Sequence, residues 1–207
     1  MPIQQFAATR KIKYLFHFTQ VGNLATILTH GLLPTDYLAV NGIDALRNDQ
    51  YRIDRTTGIC LSVSFPNYKL FYPFRQNNPG TQWAVLAIDA SVLWERDCAF
   101  CRENAAKADV TNIPLPLRKT LPALEAMFED FPGVARATLS IPDHYPTHPQ
   151  AEILVFEPIS PQSIVAIIFD DAALKRQYEA MNLRQKILSN HSYFSARQDF
   201  DKWKANG

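Results

Sequence analysis

Trp83-Ala84-Val85-Leu86-Ala87-Ile88 is an unbroken apolar run, which is typical of a strand buried on both faces of a sheet. Further β-prone stretches lie on either side of it, at positions 14–19, 59–64, 152–156 and 164–169. Amphipathic helical patterns flank these stretches. Because strands dominate the middle of the chain and helices surround them, we predict an α+β fold with a central sheet and flanking helices.

The composition fits one domain spanning residues 1–207. Hydrophobic residues make up 47% and charged residues 20%, which is enough apolar material for a real core. No stretch reaches the ~20 apolar residues of a membrane helix, and no secretory signal is recognisable at the N-terminus. We therefore expect a cytoplasmic protein with no membrane association. The net charge of +1 means that nucleic-acid binding would require a local patch.

Glu152 is the first candidate for chemistry. It opens an apolar strand directly after a proline-rich loop at positions 141–150. A carboxylate at the mouth of a strand can be partly desolvated and rigidly aimed. The pattern alone is also compatible with a glutamate at a sheet edge that points to water, which is the commoner case.

Two kinds of side chain earlier in the chain suit a nucleotide. His17 lies mid-strand between aromatic residues and could hydrogen-bond a ribose hydroxyl; a core histidine bonded to backbone is the alternative. Arg47, Arg52 and Arg55 share one polar segment and could clamp a pyrophosphate through planar bidentate contacts. A solvated, charged helix face is the alternative for these arginines.

The segment at positions 65–75 is rich in aromatic residues interleaved with Lys69 and Arg75. Aromatic faces can stack on nicotinamide or on an unpaired base, and the cations can hold its phosphate. The alternative is that these side chains pack in the core under a loop, and we expect some of them to do so in any case.

Several familiar site types are not indicated. Cys98 and Cys101 form a CxxC without a second ligand pair, so we predict no metal site. His144 and His148 lack a third ligand. With 7 glycines, the chain contains neither GxGxxG nor GxxxxGK, so any NAD site is not built on a Rossmann fold.

The order of several short motifs resembles the DarT family of DNA ADP-ribosyltransferase toxins. The opening reads Tyr-Leu-Phe-His17-Phe-Thr19, followed by Asn-Leu24, Ile-Leu28 and His-Gly31-Leu-Leu. These are similar to the family's strand with H-x-T, its short N-L-x-x-I-L helix and its G-L turn. Gln-Ala-Glu152 looks like the family's Q-A-E catalytic motif. The resemblance covers about residues 14–178.

The resemblance implies a mixed fold related to the PARP-like transferases, with NAD as substrate and no metal. It implies that Glu152 is catalytic together with an arginine, for which Arg52 best matches the spacing and Arg55 is the alternative. His17, Phe18 and Thr19 would bind the nicotinamide ribose and amide. Further NAD contacts are expected from Thr26, Leu33, Pro34, Arg55 and Phe71.

The acceptor implied by the resemblance is a base of single-stranded DNA, because a base in a duplex is stacked and out of reach. The loop ending at Gln150 would recognise this substrate. The candidate DNA-binding residues are Tyr68, Lys69, Tyr72, Arg75, Tyr145, His148 and Gln150. The family also implies a toxin–antitoxin system, with a macrodomain antitoxin that removes the ADP-ribose.

One segment departs from the family pattern. Where many members carry H-D-Y-V-P-F-Y-F, this chain has a different sequence at positions 61–72. The change resembles the branch that modifies guanine, so we expect guanine rather than thymine as the target. Transfer of an ADP-ribosyl or phosphoryl group to RNA or protein, and a non-catalytic nucleic-acid-binding module, are the alternatives.

Overall fold

A computed structural model of the protein describes residues 2–46 and 56–204. Within these ranges the strands form one seven-stranded sheet, with the spatial order β4-β5-β2-β1-β3-β6-β7. The strands are β1 (Tyr14–Gln20), β2 (Ile59–Val63), β3 (Trp83–Asp89), β4 (Cys98–Cys101), β5 (Glu152–Val155), β6 (Ile164–Phe169) and β7 (Lys186–Ser189). The apolar run at Trp83 is thus the strand β3, as predicted, with β1 and β6 as its neighbours.

The sheet is mixed. Neighbouring strands from β4 to β6 pair antiparallel, whereas β6 and β7 pair parallel. The first six residues of β3 are all buried, which explains why its sequence does not alternate. The predicted α+β architecture is confirmed. The strands β4 and β7, of four residues each, were not predicted.

The helices of the described residues are short. They are α1 (Pro2–Thr9), α2 (Leu24–His30), α3 (Thr35–Val40), α4 (Tyr68–Asn77), α5 (Val92–Glu95), α6 (Ala108–Thr111), α7 (Leu115–Arg118), α8 (Leu121–Ala126), α9 (Ala172–Glu179) and α10 (Phe200–Lys204). Across residues 2–46 and 56–204, none of them has the length and apolar character required to cross a membrane.

Two apolar layers enclose the sheet. The larger one packs residues of α1, α2, α5, α8 and α9 against one face. A smaller, aromatic layer on the other face includes Phe16, Phe71 and Trp83. Alternate residues of a strand point to opposite faces, so Leu15 joins the first layer and Phe16 the second. The helix α4 contributes Phe71 to the aromatic layer.

Gly31 ends α2 where only glycine fits. Its φ is +84°, and a Cβ atom at this position would lie 2.0 Å from the carbonyl oxygen of Ile159. The close approach allows Leu32 and Ile159 to exchange two backbone hydrogen bonds, of 3.0 and 2.9 Å. This contact holds the segment after α2 against the body of the protein, beside the cavity described next.

Candidate active site

A cavity of about 520 Å³ opens between the ends of β1 and β2, the helix α2 and the turn that follows β4. Its volume lies in the range of small-molecule and cofactor pockets. The cavity brings together distant parts of the chain, because its wall includes His17, Thr26, Ser62, Lys107 and Glu152. Three of these, His17, Thr26 and Glu152, were candidates in the sequence.

Glu152 is the first residue of β5 and lies between two strands. Its backbone pairs with Ser62 on β2 and with Cys101 on β4. The residue is only 5% exposed although it lines the cavity. The alternative of an edge glutamate that points to bulk water is therefore excluded.

Hydrogen bonds reach both oxygens of the Glu152 carboxylate. The side-chain amide of Asn67 donates to Oε1 at 3.2 Å, and the backbone N–H of Ala105 donates to Oε2 at 2.9 Å. A carboxylate only accepts hydrogen bonds, so two donors suit its ionised form and define its orientation. Glu152 was a candidate in the sequence, whereas neither donor was.

His17 is oriented by the neighbouring strand. Its Nδ1 lies 2.9 Å from the carbonyl oxygen of Cys60 on β2. A carbonyl can only accept, so Nδ1 carries the proton in this contact. The histidine thus makes the backbone contact expected of a structural residue and also lines the cavity.

The rest of the H-x-T motif is held from two sides. The ring of Phe18 stacks on the ring of Phe71, with centroids 4.5 Å apart. The Thr19 hydroxyl accepts a hydrogen bond of 3.0 Å from the side-chain amide of Asn23. Asn23 also exchanges hydrogen bonds with the backbone of Leu46, which ties the segment after α3 to this wall.

The remaining predicted NAD contacts differ in position. Thr26 and Leu33 are half-buried and line the cavity. Pro34 is buried at the start of α3, between the lining residues Leu33 and Thr35. Arg52 and Arg55 lie outside the described residues, as does Arg47, so their roles stay predictions.

Three predicted ligand contacts must be corrected, because the side chains are buried away from the cavity. Phe71 is 1% exposed and packs between Phe18 and Trp83. Tyr68 is 5% exposed, and burial raises the pKa of its hydroxyl. The residues that follow Pro66 form a helix, in which positions 68 and 71 lie on one face. That face packs into the protein.

His148 is the third correction. It is 6% exposed, stacked on Phe131 at 4.5 Å and in edge contact with Trp203. Its Nδ1 accepts a hydrogen bond from the backbone N–H of Gln150. Burial lowers the pKa of His148 to about 3, with smaller contributions from nearby cations including Lys69. The side chain supports its own loop instead of facing a substrate.

The other predicted DNA-binding residues lie around this region with unequal exposure. Tyr72 is 57% exposed. Lys69 donates to the carbonyl of Trp203 at 3.1 Å, and Arg75 lies over the ring of Phe71 and donates to the carbonyl of Phe194. Tyr145 and Gln150 are half-buried.

The proline-rich loop before Glu152 is anchored by Arg197, a buried residue that the sequence analysis missed. Its guanidinium donates to the carbonyls of Pro146 and Thr147, both at 2.8 Å. Asp199 pairs with the same guanidinium and accepts from the indole N–H of Trp203 at 2.9 Å. Arg197 is about 50 residues away in sequence from Pro146 and Thr147, so no local pattern predicts the contact.

Metal-ligating side chains do not cluster in the parts of the chain that the structure describes. Cys98 and Cys101 are both buried on β4. Burial also raises the pKa of the Cys98 thiol to about 12, which disfavours the thiolate that metals bind.

The chain resembles known proteins in sequence and in structure. The sequence profile of the family described as "ssDNA thymidine ADP-ribosyltransferase, DarT" matches residues 16–195. No curated protein matches the chain significantly.

Solved DarT structures share the fold. The DarT of Thermus sp. 2.9 in complex with ADP-ribosylated ssDNA superposes with a TM-score of 0.65 at 14% identity, over 89% of this chain and 97% of that chain. The same DarT in complex with NAD+ gives 0.57 at 13% identity, over 89% and 98%.

Thermosipho africanus DarTG in complex with ADP-ribose gives a TM-score of 0.58 at 14% identity, over 88% of this chain. This chain spans about half of the DarTG chain, of which 51% is covered. The family profile covers most of the sequence, and the fold agrees with it. The protein therefore belongs to the DarT family of ADP-ribosyltransferases.

Proposed function

We propose that this protein transfers ADP-ribose from NAD to a base of single-stranded DNA and releases nicotinamide. The observation that carries the proposal is the buried Glu152 carboxylate, which two hydrogen bonds orient in the wall of a cavity of about 520 Å³. The related Thermus sp. 2.9 DarT binds NAD+ and ADP-ribosylated ssDNA, which supports the same substrates here.

The reaction breaks the bond between C1′ of the ribose and the nicotinamide nitrogen. Nicotinamide leaves with the bonding electron pair, and positive charge develops on the ribose ring. An oriented carboxylate next to this ring stabilises that charge as it forms. A base nitrogen then bonds to C1′ and loses a proton. Glu152 supplies the electrostatic stabilisation and a hydrogen bond to a ribose hydroxyl.

NAD would lie along the wall formed by β1 and α2. His17, Phe18 and Thr19 would contact the nicotinamide ribose and amide, while Thr26 and Leu33 line the path beside them. Pro34 would act by shaping this wall from its buried position. Arg52, with Arg55 as the alternative, would hold the diphosphate or assist removal of the proton from the base.

Single-stranded DNA would approach past the loop that Arg197 anchors. The residues retained for this contact are Lys69, Tyr72, Arg75, Tyr145 and Gln150. Tyr72 is the most exposed aromatic side chain among them, and a base can stack on such a ring. The partner implied by the family is a macrodomain antitoxin that removes ADP-ribose from the DNA, in the cytoplasm where we place the toxin.

The target base we propose is guanine. The segment at positions 61–72, which departs from the family pattern, supplies Leu61, Ser62, Asn67 and Leu70 to the cavity wall beside Glu152. A change in this wall changes the shape that an acceptor base meets. The family description names thymidine, so thymine is the competing outcome.

The test is incubation of the purified protein with labelled NAD and four single-stranded oligonucleotides, each with one kind of base at the central position. We expect label on the guanine oligonucleotide, located by mass spectrometry. Glu152→Gln should lower the rate about 100-fold or more, in the range found when an oriented electrostatic partner is removed.

RNA and protein are tested as acceptors alongside the four oligonucleotides. Label on RNA or protein alone would contradict the DNA proposal, and label on thymine would contradict the choice of base. A non-catalytic binding module predicts instead that Glu152→Ala leaves toxicity in cells unchanged.

A further inference from the structure

Asn67 is a buried polar residue that contacts the carboxylate of Glu152 directly. It is 1% exposed, immediately before α4. Its backbone N–H donates to the Ser62 hydroxyl at 3.1 Å, and its Oδ1 accepts from the backbone N–H of Leu70 at 3.2 Å. Its Nδ2 donates to Glu152 Oε1 at 3.2 Å. Its backbone carbonyl accepts from the N–H groups of Leu70 and Phe71, so each polar group of this residue has a partner.

The helix cap determines which way the amide points. Leu70 N–H is a donor shared between Oδ1 and the backbone carbonyl of Asn67, so the side chain must turn its oxygen towards Leu70, which leaves the NH₂ group to face the carboxylate. The reversed amide would set two donors against each other at Leu70 and two acceptors against each other at Glu152. The start of α4 thus presents a fixed donor to the carboxylate.

The second donor comes from another part of the fold. The backbone N–H of Ala105, in the turn after β4, reaches Glu152 Oε2 at 2.9 Å. Among substitutions of Ala105 only proline would remove this backbone donor, whereas the Asn67 donor belongs to a side chain and is removed by many substitutions. Asn67 also lies within the segment at positions 61–72 that departs from the family pattern.

We propose that Asn67 is a positioning residue: its amide holds the Glu152 carboxylate in the orientation that stabilises the charge on the NAD ribose. The inference rests on the proposed function of Glu152. Asn67 acts through Glu152, and its second task, capping α4, uses a different atom of the same side chain. The two tasks can therefore be separated by substitution.

Three substitutions of Asn67 separate the capping of α4 from the hydrogen bond to Glu152. Asn67→Ser keeps an oxygen that can cap the helix but loses the amide donor. Asn67→Asp also keeps the cap and places a second carboxylate beside Glu152. Asn67→Ala removes both the cap and the donor. The substrates are NAD and the oligonucleotide that the wild-type protein modifies best.

We expect Asn67→Ser to lower kcat by about 10- to 100-fold, because a poorly oriented carboxylate stabilises the transition state less well. The KM for NAD should change less than about threefold and Tm should stay close to that of the wild type. Asn67→Asp should lose more activity than Asn67→Ser, since like charges repel. Asn67→Ala should also lower Tm. Wild-type kcat in Asn67→Ser would overturn the inference.

A double variant tests whether Asn67 acts through Glu152. In the Glu152→Gln background, adding Asn67→Ser should change the residual rate less than twofold, whereas independent roles would multiply the two losses. An equal loss in both backgrounds would overturn the inference.

A spectroscopic readout does not depend on turnover. The side-chain amide signals of Asn67 in ¹⁵N-labelled protein, identified by their absence in Asn67→Ser, should shift on Glu152→Gln. Unmoved signals would overturn the contact itself. Failure of the wild-type protein to transfer ADP-ribose would overturn the proposed function, whereas an active wild type with an equally active Asn67→Ser would overturn only the inference.

Discussion

Two regions of the sequence were predicted to bind ligands, and they differ in how much of each lines the cavity. In the β1–α2 region, the residues His17, Thr19 and Thr26 line the cavity. The aromatic segment at positions 65–75 instead buries Tyr68 and Phe71, and only part of it reaches the cavity. The H-x-T motif, with polar residues in a strand, was therefore a better predictor of the cavity lining than the aromatic segment was.

Helical spacing explains the difference. In α4, positions 68 and 71 are three residues apart and share the face that packs into the protein. Leu70 and Phe74 are four residues apart and share the face that lines the cavity. Aromatic identity alone does not distinguish these faces, whereas the period of the helix does.

The two faces of α4 should differ strongly in what a substitution costs. Phe71→Ala should lower the free energy of unfolding by about 3–5 kcal/mol, because it leaves a cavity in the aromatic layer. Phe74→Ala, one turn away and half-buried, should cost only about 1 kcal/mol and should mainly raise the KM for NAD. Urea unfolding and NAD kinetics measure both effects. Equal stability losses would show that the two faces are not distinct.

The next effect concerns His148, whose pKa burial lowers to about 3 from 6.5. Between these values the unfolded chain binds a proton that the folded protein excludes, so stability should fall as pH drops from 6.5 towards 3. The slope from this residue is about 1.4 kcal/mol per pH unit. Urea unfolding at a series of pH values measures it. His148→Gln should lose this part of the pH dependence, and the exposed His30→Gln should retain it.

The exposed side of α4 carries Tyr72, whose substitution should hardly affect stability. Tyr72→Ala should leave the free energy of unfolding within about 0.5 kcal/mol of wild type, because the ring is in solvent. Binding of a fluorescent single-stranded oligonucleotide should weaken about fivefold if a base stacks there. Tyr14→Ala on β1 removes a ring of similar exposure and serves as the control. Unchanged affinity in Tyr72→Ala would remove Tyr72 from the proposed DNA contact.

Local sequence predicted the central strands and the family, and it singled out Glu152 and His17, which the structure brings to one cavity. It did not predict the partners of those residues. Asn67 and Ala105 lie 85 and 47 positions from Glu152, and Arg197 lies 50 positions from Thr147. Such contacts arise only when the sheet brings distant segments together. The prediction of Phe71 as an NAD contact failed because the segment was not recognised as a helix.

The sheet order also constrains how this fold can diversify. β2 lies between β1 and β5, so the backbones that carry His17 and Glu152 are two strand spacings apart, or about 10 Å. Backbone hydrogen bonds maintain that spacing, and changes in loop length leave it intact. The loop anchored by Arg197 can therefore vary while the spacing of these two strands is kept, whereas the turn after β4 is constrained because the backbone N–H of Ala105 donates to Glu152. Under the proposed function, new acceptors would arise by exchange of this loop beside strands whose spacing does not change.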